Sequence, residues 1–412
     1  MSSNTEEVRK RNRVFLAITL VGTFLVCLLI IEVAIRIIDP QSDLRRKDLF
    51  FQYEPFIGVE GIPGKKGVFA NSYFNTTVIH NNEGFRDVNH DKKNTQNKFR
   101  VIVLGDSFTW GHGVENDQIY MKVLEEYDQD IETINMGGPG GDPQGELKVY
   151  TSRGVEYEHD AVLVGFFIGN DIEAYYPDPK KTPPQWGYDS KGDFVLIGHM
   201  KSQEEVDAIR RKSEERYSPT KNRNFRSRIS YWFTRHFQIF TFVGNHRKYY
   251  SDLLKGSLLY TKILKVFGID NERAHGFLNF CMENDPDDVK QGWKLLAGVL
   301  ETMKSSVTDA GAKLYVIFIP QYVQTSQPIF ESSVRKYGHD PAKYNMEKPN
   351  RELAKLCRKL GIDYLDLLPV MKEESSMGNR LYYPRDGHWN AEGHRIAARE
   401  IIEDLKKRGW IE

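Results

Sequence analysis

The chain has 412 residues, with 57 basic and 57 acidic side chains, so its formal net charge is zero. It is 40% hydrophobic and 28% charged, a globular composition that excludes wholesale disorder. A mean hydropathy of −0.53 excludes a polytopic membrane protein but permits a single membrane segment. The three cysteines exclude a disulfide scaffold, and the balanced charge argues against a protein built to bind nucleic acid.

One segment near the N-terminus is apolar enough to cross a membrane. Residues 14–31 carry no charge, and residues 33–35 continue the apolar run beyond Glu32. As a helix, this run of about 22 residues spans about 33 Å, which matches the hydrocarbon core of a bilayer. We therefore predict a transmembrane helix over residues 14–35. The alternative, a cleaved signal peptide, lacks a clean small-residue cleavage site after the apolar run.

The charges in front of this segment predict its orientation. Four basic residues precede it: Arg9, Lys10, Arg11 and Arg13. By the positive-inside rule, residues 1–13 form a cytoplasmic tail and the chain beyond the helix lies in the periplasm or extracellular space. We expect a single-pass membrane protein with an extracytoplasmic body.

The chain beyond the membrane segment changes character at residue 99. Residues 36–98 are rich in Gly, Asn and Phe and predict an extracytoplasmic region of short strands and turns. After that, short apolar runs alternate with helical patterns, which is typical of a parallel sheet covered on both faces. The five predicted strands are Arg100–Leu104, Ile131–Asn135, Ala161–Ile168, Lys313–Ile319 and Ile362–Leu367. The predicted crossover helices are Asp287–Ala310, Asn350–Leu360 and Ala391–Arg408, the last with Asn390 as its N-cap.

This alternation predicts an α/β fold for residues 99–412. We expect three α/β/α layers around a parallel, flavodoxin-like sheet of about five strands. Between the third and fourth strands lie about 115 residues beyond what a βα crossover needs. We therefore predict an insertion at about residues 172–286 that opens with a proline-rich loop and continues with helical patterns.

Four polar loops follow the predicted strands, where an open parallel sheet binds its ligands. They are Gly-Asp-Ser-Phe at 105–108, the glycine-rich 135–141, Gly-Asn-Asp at 169–171, and 385–390 with its histidine. A serine directly after a strand can act as a nucleophile if a histidine takes its proton and an acid orients that histidine. Glycine N–H groups and an asparagine amide can then hold the oxygen that becomes negative.

These four blocks, in this order, resemble the SGNH (GDSL-type) hydrolase superfamily over residues 99–412, less the insertion. The resemblance implies that Ser107 is the nucleophile, that His388 is the general base and then acid, and that Asp386 orients His388. Each block alone has a structural interpretation, such as a helix cap or a tight turn. Their combination on four strand ends is what favours a catalytic site.

The resemblance also implies an oxyanion hole. Its donors are the backbone N–H groups of Ser107 and Gly140 and the side-chain amide of Asn170, with Gly138 as the alternative to Gly140. The sequence departs from the family pattern at one point, because the acid lies two residues before the histidine rather than three, where Arg385 stands. An Asp-x-His-Trp block is similar to that of SGNH-type polysaccharide O-acetyltransferases, which keeps acyl transfer open.

Other candidate residues favour structural interpretations. His112, in Thr-Trp-Gly-His-Gly, is interpreted as a solvated loop histidine, although it lies close to Ser107 in the sequence. The remaining histidines and the cysteines show no metal-ligand spacing, so we predict neither a metal ion nor another cofactor.

Residues 216–251 form a basic, aromatic stretch inside the insertion, with eight basic residues, ten aromatic residues and no acidic residue. Three interpretations stay open: a helix packed on the domain, an interfacial helix on anionic lipid, or a contact surface for a polysaccharide. We expect no nucleic-acid partner, because the predicted location is extracytoplasmic.

The sequence as a whole predicts an extracytoplasmic serine esterase that cleaves acyl esters, above all O-acetyl esters of carbohydrate, through an acyl-enzyme. One alternative is a polysaccharide O-acyltransferase that uses the same Ser-His-Asp site together with an acyl-donating membrane partner. The second is a catalytically inactive anchored protein that serves binding or assembly.

Overall fold

The computed structural model describes residues 2–38, 49–71, 73–172, 182–217, 229, 232–233, 236–243, 276–383 and 386–412. The chain divides into two compact units. The smaller comprises residues 1–46, 70–72 and 219–255, and the larger comprises residues 47–69, 73–218 and 256–412.

A five-stranded parallel sheet forms the centre of the larger unit. Its strands are β5 (Phe99–Gly105), β6 (Ile131–Asn135), β7 (Ala161–Phe167), β10 (Lys313–Ile319) and β11 (Asp363–Asp366). They lie in the order β11-β10-β7-β5-β6, and every neighbouring pair is parallel. Counted along the chain this is the 2-1-3-4-5 order of flavodoxin-like sheets, so the predicted fold and all five strands are confirmed.

Helices cover both faces of this sheet. They are α2 (Ser107–Trp110), α3 (Tyr120–Tyr127), α4 (Pro143–Ser152), α6 (Asp287–Asp309), α7 (Gln327–Lys336), α8 (Lys348–Leu360), α9 (Leu368–Ser376) and α10 (Ala391–Lys407). Apolar side chains of α4, α6 and α8 fill the core on one face, and those of α3, α9 and α10 fill the core on the other. The three predicted crossover helices are therefore confirmed. The Asn390 side chain caps α10 by accepting the Gly393 N–H at 3.0 Å, as predicted.

The chain before the sheet forms short strands. Strands β1 (Phe51–Glu54) and β2 (Gly58–Gly61) pair antiparallel, and β3 (Lys66–Ala70) pairs with β4 (Asn75–Ile79). Phe50, Val78 and Trp110 form a small separate core. Since Trp110 ends the helix that begins at Ser107, this core lies against the segment that carries the predicted nucleophile.

Within its described part, the insertion contains a hairpin that the helical pattern did not predict, while residues 175–181 of the predicted proline-rich loop lie outside the described residues. Strands β8 (Gln185–Tyr188) and β9 (Phe194–Ile197) pair antiparallel, and α5 (Gln203–Tyr217) follows. Most of the basic, aromatic stretch at 216–251 lies outside the described residues. Among those described, Trp232, Phe237 and Phe240 are exposed.

The smaller unit contains α1 (Ser2–Ile38). Within the described chain, Arg11–Ile38 is the helix that is long and apolar enough to cross a membrane, by length and composition. Glu32, which interrupts the apolar run, accepts the backbone N–H groups of Gln238 and Ile239, each at 2.9 Å. It also pairs with Arg36 at 2.7 Å. The carboxylate therefore caps the helical residues 238–243, which explains a charge at the end of an apolar segment.

Candidate active site

Ser107 lies where the central strand β5 passes into α2. The strand ends at Gly105, where an added Cβ would come within 2.1 Å of the Thr109 hydroxyl oxygen, so only glycine fits. Asp106 then caps the short helix, because its Oδ1 accepts the Phe108 N–H at 2.9 Å. This turn places Ser107 as the first residue of the helix, half-buried at the carboxyl edge of the sheet.

The structure brings Ser107, His388 and Asp386 together, although Ser107 is 281 residues before His388 in the sequence. The Ser107 Oγ lies 2.8 Å from His388 Nε2. His388 Nδ1 lies 2.7 Å from Asp386 Oδ1. Since a carboxylate only accepts, Nδ1 carries the proton in this tautomer and Nε2 is left to accept the serine hydroxyl hydrogen. The three side chains therefore have the connectivity of a nucleophile, a general base and an orienting acid.

Gly387 allows the chain to turn tightly enough for Asp386 to reach His388 across a single intervening residue. Gly387 has a φ of +87°, a left-handed conformation that glycine adopts at little cost. Burial raises the pKa of Asp386, but hydrogen bonds from His112 and His388 and their charge outweigh it and hold that pKa well below its usual value. Asp386 therefore stays ionised throughout the neutral range. Arg385, at the family's usual acid position, lies outside the described residues.

The interpretation of His112 as a solvated loop histidine is wrong. Its ring stacks on the His388 ring with the centroids 3.8 Å apart and the planes 16° apart. Its Nε2 lies 3.5 Å from Asp386 Oδ2, and its side chain is only 17% exposed. The sequence signal for this was present in the closeness of His112 to Ser107, but nothing in the sequence showed that the loop turns back over the site.

The glycine loop after β6 has one free backbone donor. The N–H groups of Met136, Gly138 and Gly141 donate to the carbonyls of Val103, Gly105 and Gly138, respectively. The Gly137 N–H donates to the Asn135 side chain at 2.9 Å, and residue 139 is proline. Gly140 is exposed at the tip of the loop, and its N–H donates to no described residue.

The hydrogen bonds of these backbone N–H groups distinguish the two candidates for the second oxyanion donor. The Gly138 N–H is already used at 3.0 Å by Gly105, so it is not available to a substrate. Asn135 explains why the loop stays in place, because its buried amide nitrogen donates to the Arg86 and Thr109 carbonyls at 3.2 and 3.1 Å. Gly140 is therefore favoured over Gly138.

Asn170 follows β7 on the same edge of the sheet. It is exposed, and its side-chain amide makes no hydrogen bond to any described residue. Its neighbour Asp171 is buried, and Asp171 Oδ2 accepts the Phe167 N–H at 2.7 Å. That bond closes the turn and leaves the Asn170 amide facing solvent, where it can contact a ligand.

Three carboxyl groups lie buried beneath these loops: Asp106, Glu146 and Asp171. Burial raises the pKa of Asp106 to about 6. Burial, reinforced by the neighbouring acids, raises the pKa values of Glu146 and Asp171 well above their usual values. Both Glu146 carboxyl oxygens lack a partner among the described residues, which disfavours the charged form of this acid. The sequence offered no indication of this cluster.

Two further residues that the sequence did not single out hold the site from the N-terminal side. The buried Arg86 guanidinium donates to the carbonyls of Trp110, Gly111 and Val114. Asp87 accepts the Asn135 N–H at 2.8 Å and pairs with Lys122 at 2.9 Å. No sequence signal indicated this role, because Arg86 and Asp87 lie in a turn-rich region without hydrophobic periodicity.

One group of side chains could geometrically hold a metal ion. Donor atoms of His112, Asp386 and His388 lie within 4.8 Å of one another. The His388 Nδ1 and Asp386 Oδ1 atoms of this group already form the short hydrogen bond described above. A metal would have to displace that bond, so the donor set fits a proton relay better than a metal site. The expected absence of a metal stays a prediction.

A cavity of about 220 Å³ borders the glycine loop on the side of β2. Its walls include loop residues 137–141 and strand residues 58–61. Its lining is mixed, with the apolar Phe51, Ile57, Phe85, Trp110 and Met136 beside the polar Glu60, Glu83, Gln144, Arg153 and Gln185. A cavity of this size has room for a small acyl group or one sugar ring. Ser107, His388 and Asn170 are not among the residues that line it.

Comparison with known families supports the superfamily relationship. Residues 284–412 match the family described as ALGX, SGNH hydrolase-like domain, acetyltransferase AlgX. This match confirms the SGNH resemblance for the last third of the chain, which contains His388 and Asp386. It supports acyl-ester hydrolysis or acetyl transfer in general. Ser107, Gly140 and Asn170 lie outside the matched residues. No curated protein matches the sequence.

Solved structures with a similar fold are distant. A member of the lipolytic protein G-D-S-L family from Veillonella parvula DSM 2008 is 11% identical, with a TM-score of 0.36 over 74% of this chain and 98% of that one. The lipase/acylhydrolase from Enterococcus faecalis is 10% identical, with a TM-score of 0.36 over 75% and 96%. A two-domain esterase active on acetylated mannans is 10% identical, with a TM-score of 0.35 over 77% and 50%.

Proposed function

We propose that the chain is a membrane-anchored serine enzyme that cleaves acyl esters, above all O-acetyl esters of carbohydrate, through an acyl-enzyme. The observation that carries the proposal is the continuous relay from the Ser107 Oγ to His388 Nε2 at 2.8 Å and from His388 Nδ1 to Asp386 at 2.7 Å. The cavity of about 220 Å³ beside the glycine loop supports a substrate with a sugar or short acyl group. Ser107 and the glycine loop both follow strands at the edge of the sheet where ligands bind.

The reaction follows from the geometry. The Ser107 Oγ attacks the acyl carbonyl while His388 Nε2 takes the hydroxyl proton. The backbone N–H groups of Ser107 and Gly140 and the Asn170 amide donate to the oxyanion. The intermediate collapses when the alcohol oxygen leaves with the proton from His388. Water then attacks the acyl carbon while His388 takes its proton, and His388 returns that proton to the Ser107 Oγ as the bond to the acid breaks, while Asp386 stays ionised.

Acetyl transfer is the second candidate function. The observation that favours it is the match of residues 284–412 to a family described by an acetyltransferase. In this case a sugar hydroxyl replaces water in the second half of the reaction, and a membrane partner supplies the acyl group. The same side chains serve both reactions, so the product decides between them. Acetyl groups on an added polysaccharide support transfer, whereas free acetate supports hydrolysis.

Covalent labelling tests the proposal directly. The full-length protein in detergent should react with a fluorophosphonate at Ser107 and hydrolyse a short acyl ester. Ser107→Ala should abolish labelling and lower ester turnover by about 10⁴-fold or more. Ser376→Ala, at an exposed serine on α9, is the matched control and should change neither. If the wild-type protein neither labels nor turns over esters, the proposal is wrong and the inactive binding or assembly role gains support.

We propose an extracytoplasmic location for this site, on the basic residues that precede the apolar part of α1. Protease treatment of intact spheroplasts should degrade the larger unit, while an epitope at the N-terminus stays protected. Degradation of the N-terminal epitope with protection of the larger unit would reverse the orientation. Contact of residues 216–251 with anionic lipid or polysaccharide stays a prediction.

A further inference from the structure

His112 contacts both partners of the proposed nucleophile. Its ring lies face to face with His388, at a centroid distance of 3.8 Å. Its Nε2 lies 3.5 Å from Asp386 Oδ2, while His388 uses the other oxygen of the same carboxylate. The Asp386 carboxylate is therefore shared by two imidazoles, one on each oxygen.

The backbone and the surrounding side chains fix the position of His112. Its N–H donates to the Ser107 carbonyl at 2.9 Å, so the histidine is tied to the turn that carries the nucleophile. The adjacent Gly113 carbonyl accepts the Tyr383 hydroxyl at 2.7 Å, which links this loop to the chain before Asp386. The edges of Phe69 and Phe74 enclose the ring at centroid distances of 5.0 and 5.1 Å.

We propose that His112 is a positioning residue for acyl transfer at Ser107: it holds the plane of the His388 ring and the second oxygen of Asp386. This inference rests on the proposed function. The need for such support follows from the short Asp-x-His turn, whose middle residue Gly387 gives the backbone wide freedom. His112, which comes from the loop after α2, contacts both side chains and restrains them where the turn itself is free to move.

His112 faces Asp386 through Nε2, at 3.5 Å from Oδ2, as a group with a proton on that nitrogen. Asp386 only accepts, so the proton between the two groups belongs to His112. When His388 takes the Ser107 proton, its positive charge develops beside the Asp386 carboxylate, while the His112 ring stacked on it keeps the ring plane in place. The carboxylate contact favours that cation. Ring orientation matters because misplacement of a catalytic group by about 1 Å can cost about 100-fold in rate.

Two substitutions separate the ring contact from the donor. His112→Phe keeps a flat ring but loses the N–H, and His112→Gln keeps a donor but loses the stack. In the full-length protein, we expect His112→Phe to lower kcat for a short acyl ester by about 10- to 100-fold with KM changed less than about 2-fold. His112→Gln should recover part of that loss. His199→Phe, at an exposed histidine, is the control and should match the wild type.

A second background tests whether His112 acts through Asp386. In Asp386→Asn, the further loss caused by His112→Phe should shrink to within about 2-fold, because the two residues then act as one unit. An equal loss in both backgrounds, a change confined to KM, or wild-type kcat in His112→Phe would overturn the inference. Failure of the proposed function is distinguishable, since it would show as absence of Ser107 labelling in the wild type itself.

Discussion

Two regions of the larger unit meet at Ser107, and they contribute in different ways. The loops at the strand ends of the sheet supply the proposed reacting groups, from Ser107 to His388. Residues 49–98 supply no reacting group, yet Arg86 and Asp87 hold the backbone of the nucleophile loop and of the glycine loop. One region therefore supplies the groups proposed to react, and the other supplies hydrogen bonds that hold their loops in place.

The largest expected effect on stability and activity comes from removing the hydrogen bonds that Arg86 makes to the nucleophile loop. Arg86→Met removes a donor from the Trp110, Gly111 and Val114 carbonyls, of which only Gly111 keeps another among the described residues, the Val114 N–H at 3.3 Å. Each buried polar group left unpaired costs about 1–3 kcal/mol, so the free energy of unfolding should fall by about 2 kcal/mol or more. Because these carbonyls flank His112, the protein that stays folded should also lose ester turnover. Denaturant unfolding and turnover per folded molecule measure the two effects.

Arg100→Met is the matched control for this substitution. Arg100 is equally buried, pairs with Glu132 at 2.9 Å and donates to the Asp91 carbonyl at 3.0 Å. It lies at the start of β5, whereas Ser107 follows the end of that strand. Loss of Arg100 should therefore lower stability by a similar amount without lowering turnover per folded molecule. If the two variants lose activity alike, the special role of residues 49–98 at the site is refuted.

These two regions also differ in how far the sequence predicts them. The strands and crossover helices followed from apolar runs and their periodicity, and the place of Ser107 at a strand end followed from the rule for parallel sheets. His388 follows the helix α9 rather than β11 itself. The hydrophobic signal was strong because the three central strands, β5, β7 and β10, are buried on both faces. Which of Gly138 and Gly140 has a free N–H could not be read from the sequence, since it depends on how each loop amide is paired.

Contacts between distant segments account for what the sequence did not predict. Arg86 binds carbonyls of residues 110–114, and backbone acceptors have no sequence signature. His112 lies over His388 because the glycines on either side, with φ values of +87° and +88°, turn its loop back. Glu146, whose carboxyl oxygens have no partner among the described residues, has the sequence pattern of an ordinary helix residue. Only the packing of α4 against the rest of the larger unit makes it buried.

A smaller effect on kcat is expected from substitutions in the glycine loop. An added Cβ meets no atom within 4 Å at either Gly138 or Gly140, but only Gly140 has a positive φ, of +73°. Gly140→Ala costs about 1–2 kcal/mol in that conformation. The loop can relieve this strain by rotating the N–H away from the oxyanion. We expect kcat to fall by about 10- to 100-fold for Gly140→Ala, with KM little changed.

Gly138→Ala is the companion variant, and its kcat should stay within about 2-fold of wild type because it imposes no comparable backbone strain. Steady-state kinetics on a short acyl ester measures both. A larger loss at Gly138 than at Gly140 would reverse the assignment of the second oxyanion donor.

The smallest expected effect concerns the buried acids beneath the loops. The folded-state pKa of Glu146 is raised, first by burial and then by the charges of Asp106 and Asp142. The stability that its protonated form contributes is fully present below the unfolded pKa of about 4.3 and is lost as pH rises through the raised pKa. Glu146→Gln removes this loss, so its melting temperature should exceed that of the wild type by an amount that grows from pH 5 to pH 9.

One unit of pKa shift corresponds to about 1.4 kcal/mol, so a gain of a few degrees at the alkaline end is expected. Glu205→Gln is the control, because Glu205 is exposed and hydrogen bonds from Ser202 lower its pKa. Its melting curve should show no such growth with pH. Parallel curves for Glu146→Gln and the wild type would mean that Glu146 is ionised in the folded protein. Glu146 would then add a buried negative charge close to Asp106, the neighbour of Ser107, where it would oppose the charge that develops on the oxyanion.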